Sequence, residues 1–508
     1  MNSPQAPAPD PVNEAAEPLD RTIASAKKMD RSLAGSIAWR AVADWTSQIL
    51  TWGSFLIVAR LLSPEDYGIV SMAVILFAYL RLVGEFGLPE TIVALRDLTE
   101  HQIAQLNSIA VALAVTCFGV SCVLAFPLAS FFRIPRLAPV VVVTCLALVA
   151  LGVRTVPEAL IEKDMRFRWI SLVNAGCDIF AAAVTLVMAW RGFAYWALVA
   201  GNLAAIIARS ILMVRERPHR FAWPRLSSIR KELRFGWHVF VSVFSSAAYS
   251  RLDNATAGRV LGPGALGFYS MAWNLANVPL EKLTTLVTSV VHPYFAVAQK
   301  DFAALRRYVR TLTELIALAT FPATIGLGLV ARQLVPFALG KKWEPAVPVL
   351  EVLSAYAAFR SVVALLPKVL TAVGDARFVM WDELAALVIL PSGFYIGSHW
   401  GITGIGWAWV VAYPCAALPL YWKVFKTIHL DVGSYFRALR PALEGTAAMV
   451  LGVVWLKRAL PVNRPLLTRL VLEIASGAAI YAATVLLLHR KRTQTFWKLI
   501  KEFRRPKS

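Results

Sequence analysis

Residues 60–73 read "RLLSPEDYGIVSMA" and residues 259–272 read "RVLGPGALGFYSMA", so this chain carries one short segment twice. The two copies align without gaps and share Arg, Leu, Pro, Gly, Ser, Met and Ala at the same positions. A tight turn favours Pro and Gly by itself. It does not require the Ser-Met-Ala that follows. The recurrence therefore indicates an internal duplication.

The composition is that of a membrane protein. Hydrophobic residues make up 58% of the 508 positions and charged residues 16%, whereas soluble domains are about 45–50% apolar and about 25% charged. Runs such as "IAVALAVTCFGVSCVLAF" at 109–126 are continuously apolar and lack the alternation of a transmembrane β-strand. We therefore predict an all-α polytopic membrane protein.

The apolar windows give the number of spans. They lie at 37–60, 67–94, 104–130, 137–159, 169–190, 192–214, 235–258, 264–295, 310–330, 346–372, 377–398, 402–422, 441–459 and 465–489. A helix needs roughly 20 residues to cross the hydrocarbon core, so these windows predict about 14 transmembrane helices. The region 310–372 is the hardest to divide, because Pro322, Pro336 and Pro345 interrupt it.

The two copies of the repeated segment stand at equivalent places in this order. The first joins spans one and two, and the second joins spans seven and eight. Six spans separate them, so both copies have the same orientation in the membrane. The repeat is therefore parallel, with its axis along the membrane normal. This predicts two parallel-repeat six-helix lobes followed by two C-terminal helices.

The chain divides accordingly into six predicted units. They are a disordered cytoplasmic tail at 1–32, an N-terminal six-helix lobe at 33–214, a basic cytoplasmic linker at 215–234, a C-terminal six-helix lobe at 235–426, helices thirteen and fourteen at 437–489, and a basic cytoplasmic tail at 490–508. The first unit is rich in Pro and Ala and lacks the positively charged head and apolar run of a secretory signal.

The formal charge of +21 is distributed unevenly. When alternate connections are assigned to opposite sides, one side holds roughly 33 Lys and Arg residues and the other roughly 10, and the richer side is the cytoplasmic one. Both termini are therefore predicted to be cytoplasmic. Anionic headgroups account for the positive charge, so no nucleic acid partner is expected.

The cysteine spacing and the glycine pattern argue against disulfides, metal clusters and nucleotide binding. All five cysteines lie in apolar runs without paired spacing (Cys117, Cys122, Cys145, Cys177 and Cys415), so neither a disulfide framework nor a metal cluster is expected. The nearest approach to a nucleotide-binding loop, "ALGKKW" at 338–343, lacks the first glycine of the phosphate-binding motif. No cofactor and no enzymatic activity are therefore predicted.

Three segments resemble the polysaccharide-export branch of the multidrug/oligosaccharidyl-lipid/polysaccharide flippase superfamily. They are "ARLLSPEDYGIVSMA" at 59–73, "EKDMRFRW" at 162–169 and "SRLDNATAGRVLGPGALGFYSMAWNLANVPL" at 250–280. The resemblance extends from about residue 33 to 490. It implies lobes around a central cavity, alternating access, a bacterial inner-membrane location, and a polyprenyl-diphosphate-linked sugar repeat unit as cargo.

Charged residues within spans are costly, so each is a candidate for function. In three pairs an Arg precedes an acid by four residues, which places both on one helical face: Arg40 with Asp44, Arg81 with Glu85, and Arg154 with Glu158. A guanidinium group suits a diphosphate, and the pairs are candidates to face the cytoplasmic half of the cavity. The alternative is that they neutralise each other structurally, or that Arg40 reaches the headgroups.

The second lobe supplies the remaining candidates for contact with cargo. They are Arg251 and Asp253 in span seven, Trp273 and Asn274 in span eight, and Arg360 and Lys368 in span ten. Arg360 has no acid within one turn and lies near mid-depth, so it is the strongest of them. Trp273 is a candidate for stacking on sugar, although most tryptophans near span ends fit an interfacial belt.

Other intramembrane ionisable groups are weaker candidates: His238, His292, Asp178, Glu314, Asp382 and Glu383. Acids among them are candidates for coupling transport to a proton or sodium gradient. The expected partners are membrane lipids, the lipid-linked saccharide, glycosyltransferases, and polysaccharide polymerase or export proteins. Two alternative functions stay open, a drug or cation exporter of the same superfamily and, with less support, a membrane glycosyltransferase or polymerase.

Overall fold

The computed structural model describes residues 51–95, 98–225, 227–247, 250–297, 301–461 and 465–490. These residues are predominantly α-helical, and no β-strand occurs among them. The predicted tail at 1–32, residues 491–508 of the predicted tail at 490–508, and Arg40 and Asp44 lie outside the described residues.

Residues 51–225 of the described chain contain seven helices. They are α1 (Thr51–Leu61), α2 (Pro64–Glu85), α3 (Leu88–Ala94), α4 (Glu100–Phe132), α5 (Leu137–Lys163), α6 (Phe167–Trp190) and α7 (Tyr195–Glu216). Capping boxes fix the starts of α2 and α4. The Ser63 hydroxyl accepts a hydrogen bond from the Asp66 amide, and the Asp66 carboxylate accepts one from the Ser63 amide. Thr99 and Gln102 form the same pair of bonds at α4. The side on which α2 begins is called the turn side, and the opposite side the linker side.

The described residues after 225 form α8 (Arg230–Ala247), α9 (Leu252–Thr256), α10 (Gly262–Val297), α11 (Phe302–Ala338), α12 (Val347–Val363), α13 (Leu366–Ala372), α14 (Ala376–Ser398), α15 (Gly401–Thr427), α16 (Val432–Ala459) and α17 (Leu466–Leu488). A π-helical segment, Ala257–Leu261, joins α9 to α10, and a 3₁₀ segment, Lys341–Ala346, precedes α12.

Eleven of the described segments are long and apolar enough to cross a membrane, with α2–α3 and the stretch from the 3₁₀ segment to α13 each counted once. Predicted spans one, seven and eight correspond to α1, to α8 with α9, and to α10. The helix order therefore agrees with the predicted fourteen spans. The predicted fold class, an all-α polytopic membrane protein, is confirmed.

Prolines affect the spans differently from one another. Pro322 and Pro336 lie inside the continuous helix α11, so span nine is longer than the predicted window. Neighbouring helices can satisfy the backbone groups that a proline frees inside a membrane. Pro345 lies in the 3₁₀ segment, where the chain turns into span ten.

Span two is bent near its end on the linker side. Phe86 and Gly87 both have left-handed backbone conformations, with φ of 46° and 67°, and they separate α2 from α3. A Cβ on Gly87 would lie 2.5 Å from the carbonyl oxygen of Gly236 in α8. The bend therefore lets the end of α2 approach the backbone of span seven.

The two copies of the repeated segment pack against each other. A Cβ on Gly68 of α2 would lie 1.8 Å from the carbonyl oxygen of Pro263, and a Cβ on Gly267 of α10 would lie 1.7 Å from that of Pro64. Each glycine thus contacts the proline of the other copy. The helices α2 and α10 are therefore related by a local two-fold axis that passes between the two lobes.

The basic linker lies along the start of α4. The Ser228 hydroxyl donates to the Gln105 side-chain oxygen at 2.7 Å, and the Ala222 amide donates to the Ser108 hydroxyl at 3.2 Å. The flanking helices extend into its ends, because α7 ends at Glu216 and α8 begins at Arg230.

The last two helices, α16 and α17, pack against α11. Their contact is fixed by a buried Glu473 carboxylate, which accepts a hydrogen bond from Gln333 of α11 at 2.9 Å. The Lys457 ammonium of α16 lies 3.5 Å from the same carboxylate.

Candidate functional site

Arg360 lies on α12, half-buried and facing α10. Its Nη1 donates to the side-chain oxygen of Asn277 at 3.1 Å. Its guanidinium carbon lies 6.0 Å from the centre of the Trp273 ring, within the range of a cation–π contact. The structure therefore brings two residues that the sequence singled out, Arg360 and Trp273, together with Asn277.

Trp273 stands at the edge of an aromatic cluster that links α10, α12, α14 and α15. Its ring centre lies 5.2 Å from that of Trp409 and 6.0 Å from that of Tyr356. The rings of Tyr356 and Trp409 are 4.8 Å apart, and Phe394 lies 4.7 Å from Trp409. This packing holds the Trp273 ring beneath Arg360, because aromatic pairs at such separations restrict each other's orientation.

A buried carboxylate lies on the other side of this cluster. Asp253 has no exposed surface, and its Oδ2 accepts a hydrogen bond from the Tyr269 hydroxyl at 2.7 Å. The Trp409 indole donates to the Tyr269 hydroxyl at 2.9 Å, and Asp253 Oδ1 accepts from the Asn254 amide at 2.7 Å. Within the described part of the chain, Asp253 forms no ion pair with a basic residue.

The other candidates of the second lobe form no hydrogen bond or ring contact with this cluster among the described residues, although Arg251 lies near Asp253. Arg251 precedes α9 and is partly exposed, Asn274 is exposed on α10, and Lys368 is partly buried in α13. The aromatic network therefore connects only Asp253, Trp273 and Arg360 among the six. The roles of all six stay predictions.

In the first lobe, Arg81 and Glu85 form the ion pair that their spacing predicts. The Arg81 Nε and a Glu85 oxygen are 2.8 Å apart, and the side chains are 49% and 27% exposed. They border a small cleft between α2, α4 and α5 whose floor includes Gly152 and Thr155. The Arg81 guanidinium is therefore accessible as well as paired.

Arg154 and Glu158 also pair, at 2.9 Å, but here the arginine side chain is only 9% exposed. One of its terminal nitrogens is buried without a hydrogen-bond partner among the described residues. A second pair lies nearby on α7 and α6, where Arg209 and Asp178 are 2.8 Å apart. Arg81, Arg154 and Arg209 are thus each paired with an acid in the part of the first lobe that the structure describes.

The lobes meet on the turn side through the 3₁₀ segment of the second lobe. The Lys342 ammonium donates to the carbonyl oxygens of Arg60 and Leu62 at 2.7 and 2.6 Å. The Trp343 indole donates to the carbonyl oxygen of Ala59 at 2.9 Å. We call this set of contacts, with Arg60, Lys342 and Trp343 at its centre, the turn-side latch.

A further hydrogen bond and two ring contacts complete the turn-side latch. The Arg60 Nε donates to the carbonyl oxygen of Ala338 at 2.9 Å, so the first lobe also bonds the end of α11. Trp343 is fully buried, and its ring packs edge-on against Tyr67 at 5.3 Å and Phe268 at 6.0 Å. The latch therefore closes the interface between the lobes with both hydrogen bonds and aromatic packing.

A second interlobe contact runs towards the linker side along α2 and α8. Phe86 stacks on Phe240 at 5.6 Å and lies 6.0 Å from Trp237. Deeper in the membrane, Tyr79 lies 6.3 Å from Phe244. This aromatic seam ends where the bend after α2 approaches α8, so the lobes touch near both ends of α2.

Sequence reasoning missed several residues of these sites. Arg209 has its partner on another helix, and the Tyr269 and Trp409 hydrogen bonds to Asp253 connect residues 16 and 156 positions apart. The one available signal for Arg209 was a basic residue inside an apolar span.

Comparison with known proteins agrees with this architecture. The family described as "Polysaccharide biosynthesis protein" matches residues 57–348. The lipopolysaccharide biosynthesis protein WzxC of Escherichia coli (strain K12) is 24% identical over 444 residues, covering 84% of this chain and 85% of WzxC. The succinoglycan biosynthesis transport protein ExoT of Rhizobium meliloti (strain 1021) is 23% identical over 470 residues, covering 91% and 94%.

The solved structure of the lipid II flippase MurJ in an inward closed conformation is similar in fold. Its TM-score is 0.72 at 12% identity, and the similarity covers 90% of this chain and all of that one. The molecule is thus a multi-pass helical membrane protein with the fold seen in MurJ. Because the family match covers more than half of its length, the chain belongs to the polysaccharide biosynthesis protein family. The resemblance noted in the sequence is confirmed.

Proposed function

We propose that this protein is a flippase that moves polyprenyl-diphosphate-linked oligosaccharide repeat units from the inner to the outer leaflet by alternating access, for exopolysaccharide, capsule or O-antigen synthesis. The observation that carries the proposal is the contact between Arg360 and Trp273. A guanidinium group binds phosphate oxygens through a planar fork, and an aromatic face packs against a sugar ring. Both groups lie at one place in a fold similar to that of the lipid II flippase MurJ.

The charges favour this cargo over an organic cation. An exporter of cations needs acidic groups that attract its cargo. In this chain Glu85, Glu158 and Asp178 are each paired with an arginine. Asp253 is buried behind aromatic side chains and has no exposed surface. The drug-exporter alternative therefore has less support than the flippase.

We propose that the linker side is cytoplasmic, as the distribution of Lys and Arg predicts. This places the turn-side latch on the outside and the aromatic seam towards the inside. Single cysteines at Glu65 and Lys341 in a cysteine-free protein should react with an impermeant thiol reagent added to intact cells. A cysteine at Ser227 should not, and its labelling from outside would reverse the orientation.

We propose that Asp253 couples transport to a proton or sodium gradient. It is a fully buried carboxylate whose oxygens accept hydrogen bonds from Tyr269 and Asn254. Arg251 on its own segment and Tyr79 on α2 are the other titratable groups close to it. The aromatic cluster connects this carboxylate to Arg360 on α12. A change of charge at Asp253 can therefore act, through these packed rings, on the site proposed to bind cargo.

The function is tested with purified protein in liposomes. A diphosphate-linked saccharide placed in one leaflet should reach the other without ATP, and a gradient of protons or sodium should change the rate. Protein-free liposomes give the background rate. In cells, deletion should cause the lipid-linked saccharide to accumulate on the cytoplasmic leaflet.

A separate result would favour the exporter alternative. If cells lacking the protein export polysaccharide normally but become sensitive to cationic drugs, the flippase proposal is wrong.

Glycosyltransferases and polysaccharide polymerase or export proteins are the partners that this function requires, because they supply the substrate and consume the product.

A further inference from the structure

A second contact joins the two lobes on the turn side, apart from the turn-side latch. The guanidinium carbon of Arg259, in the π-helical segment before α10, lies 5.2 Å from the centre of the Phe131 ring near the end of α4. Beside it, a Cβ on Gly258 would lie 2.9 Å from the Phe132 ring and 3.0 Å from the methyl group of Met72. The π-helical segment of the second lobe therefore packs closely against α4 and α2 of the first.

This contact is the two-fold counterpart of part of the turn-side latch. Arg259 aligns with Arg60 in the repeated segment, and α4 and α11 are the third and ninth spans, which are equivalent in the two lobes. Arg60 donates to the carbonyl oxygens of Phe337 and Ala338, the last two residues of α11. Arg259 lies over Phe131, the last residue but one of α4. Each lobe thus extends an arginine to the end of the same span of the other lobe. We call the pair Arg259 and Phe131 the counterpart contact.

The correspondence continues into the segments that follow these two spans. Four residues past the end of α11 the sequence reads "KWEP" from Lys342, and four residues past the end of α4 it reads "RLAP" from Arg136. Leu137 therefore stands where the turn-side latch has Trp343. A leucine side chain cannot donate a hydrogen bond, so the bond that the indole makes across the latch is missing here. Arg136 is exposed, and its guanidinium forms no hydrogen bond or ion pair with another described residue.

The two halves of the turn side therefore differ in strength. The turn-side latch has hydrogen bonds from Arg60, Lys342 and Trp343, and the Trp343 side chain is fully buried. In the counterpart contact, Arg259 makes no hydrogen bond to another described residue, and Phe131 is 49% exposed. A cation–π contact is weaker at an exposed site than at a desolvated one, whereas hydrogen bonds from charged groups are among the strong ones.

We propose that Arg259 and Phe131 form the second half of the closure on the turn side, and that this weaker half separates first. The turn side then opens between α4 and the π-helical segment, while the turn-side latch stays bonded and acts as the pivot. Cargo that leaves on this side passes between α4 and the start of α10. That last step rests on the proposed function, whereas the opening itself does not.

The test compares the two halves by thiol labelling. Met72 and Met271 occupy the same position in the two copies of the repeated segment, and both are fully buried. Met72 lies beside the counterpart contact, because its methyl group approaches Gly258. In cysteine-free, full-length protein in lipid nanodiscs, Met72→Cys should react with a hydrophilic thiol reagent faster than Met271→Cys. Arg259→Gln should raise the labelling rate of Met72→Cys about three- to tenfold, as expected for the loss of one cation–π contact.

Two further variants show whether the contact itself is responsible. Arg259→Lys keeps a cation near the ring and should label close to the wild-type rate. Phe131→Leu keeps an apolar side chain but removes the aromatic face, so it should match Arg259→Gln. Because the two residues act through one contact, the double variant should label no faster than either single variant.

The matched controls change residues of the same types towards the turn side but outside the contact. Arg191 is exposed after the end of α6, and Phe126 of α4 is 70% exposed. Arg191→Gln and Phe126→Leu should leave both reporters unchanged. A third reporter, Met213→Cys in α7, replaces a fully buried residue near the linker side. It should stay unlabelled, because only global unfolding exposes it.

Three results would overturn the proposal. An unchanged labelling rate of Met72→Cys after Arg259→Gln would show that the contact is not part of the closure. Equal or faster labelling of Met271→Cys in the otherwise unaltered protein would mean that the counterpart contact does not open first. Additive effects of Arg259→Gln and Phe131→Leu would show that these residues do not act together. If Arg259→Gln unfolds the protein, the two reporters in the unaltered protein still decide which half opens first. No measurement needs cargo, so failure of the flippase proposal would leave this test intact.

Discussion

The hydroxyl oxygens of Ser71 and Ser270 lie 3.1 Å apart and form a hydrogen bond between the two lobes. These serines occupy the same position in the two copies of the repeated segment, so each meets its own counterpart. Only residues on or next to a two-fold axis can do so. The bond therefore marks where the axis implied by the repeat passes between α2 and α10.

The glycines beside this axis should be essential for stability. Gly68→Ala and Gly267→Ala should each lower the free energy of unfolding by about 1–3 kcal/mol or more, because the new methyl group overlaps backbone and forces the helices apart. The added Cβ would lie 1.8 Å or 1.7 Å from a carbonyl oxygen of the opposite copy. Thermal unfolding in detergent measures the loss.

Gly264→Ala is the matched control for these variants, because no atom lies within 4 Å of its added Cβ. It lies in the same segment and should be neutral or slightly stabilising, since alanine favours helix over glycine. Equal stability of all three alanine variants would show that the lobes are free to separate at this crossing.

The sequence predicted the order of the spans and the contacts between residues on the same helix. Span order, the repeat axis and the pairs Arg81–Glu85 and Arg154–Glu158 follow from periodicity, because helical neighbours are three or four residues apart. Contacts between distant helices do not follow from it. The bond between Asp253 and Tyr269 and the packing of Trp343 depend on how helices cross, which no short-range pattern specifies.

The turn-side latch should control opening on that side. Trp343→Ala should expose Ser71 from the turn side, because it removes the indole bond to Ala59 and the packing on Tyr67. A Ser71→Cys reporter in a cysteine-free protein should then react faster with an impermeant thiol reagent.

Trp400→Ala is the control for the latch. Trp400 lies on the same side and is 72% exposed, so its loss should leave the reporter unchanged. If Trp343→Ala leaves labelling at the wild-type rate, the latch is not what holds this side closed.

Asp253→Asn should separate transport from its driving gradient. The amide keeps the size of the side chain and can still accept the hydrogen bond from Tyr269, but it cannot change charge. We expect passive equilibration of cargo between leaflets to continue and gradient-dependent stimulation to disappear. Flux in liposomes with and without an imposed gradient measures both.

Glu351→Gln provides the comparison for Asp253. Glu351 lies in the same lobe and pairs with Arg332, whose side chain is 73% exposed. This variant should respond to the gradient as the wild type does. A normal gradient response in folded Asp253→Asn protein would remove Asp253 from the coupling mechanism.

Arg360→Met should abolish flipping in protein that still inserts and folds. The change removes the hydrogen bond to Asn277, which costs about 0.5–1.5 kcal/mol in stability, while the larger loss falls on phosphate binding. Arg360→Lys should rescue only part of the activity, because a point charge cannot form the bidentate contact.

Arg458→Met serves as the control for Arg360, because Arg458 is exposed at the end of α16. Transport by this variant should match the wild type. Full activity of Arg360→Met would show that the basic group of the second lobe is structural.

The pair Arg81–Glu85 tests whether the first lobe also contacts phosphate. Arg81→Met leaves a carboxylate that is 27% exposed, so its effect on stability should be small, within about 1 kcal/mol. Arg154→Met removes an arginine whose side chain is only 9% exposed, so it should be more destabilising, by up to about 3–5 kcal/mol. Unfolding measurements distinguish the two.

The double variant Arg81→Met, Glu85→Gln decides the role of the first pair, because it deletes the proposed phosphate contact without leaving an unpaired acid. If Arg81 binds diphosphate, this variant should fold normally and still fail to move cargo, whereas Glu85→Gln alone should remain active because it keeps the guanidinium group. Flipping rates in liposomes, normalised to folded protein, give the comparison. Full transport by the well-folded double variant would mean that Arg81 and Glu85 only neutralise each other's charge. Arg360 would then bind phosphate without a basic partner on α2.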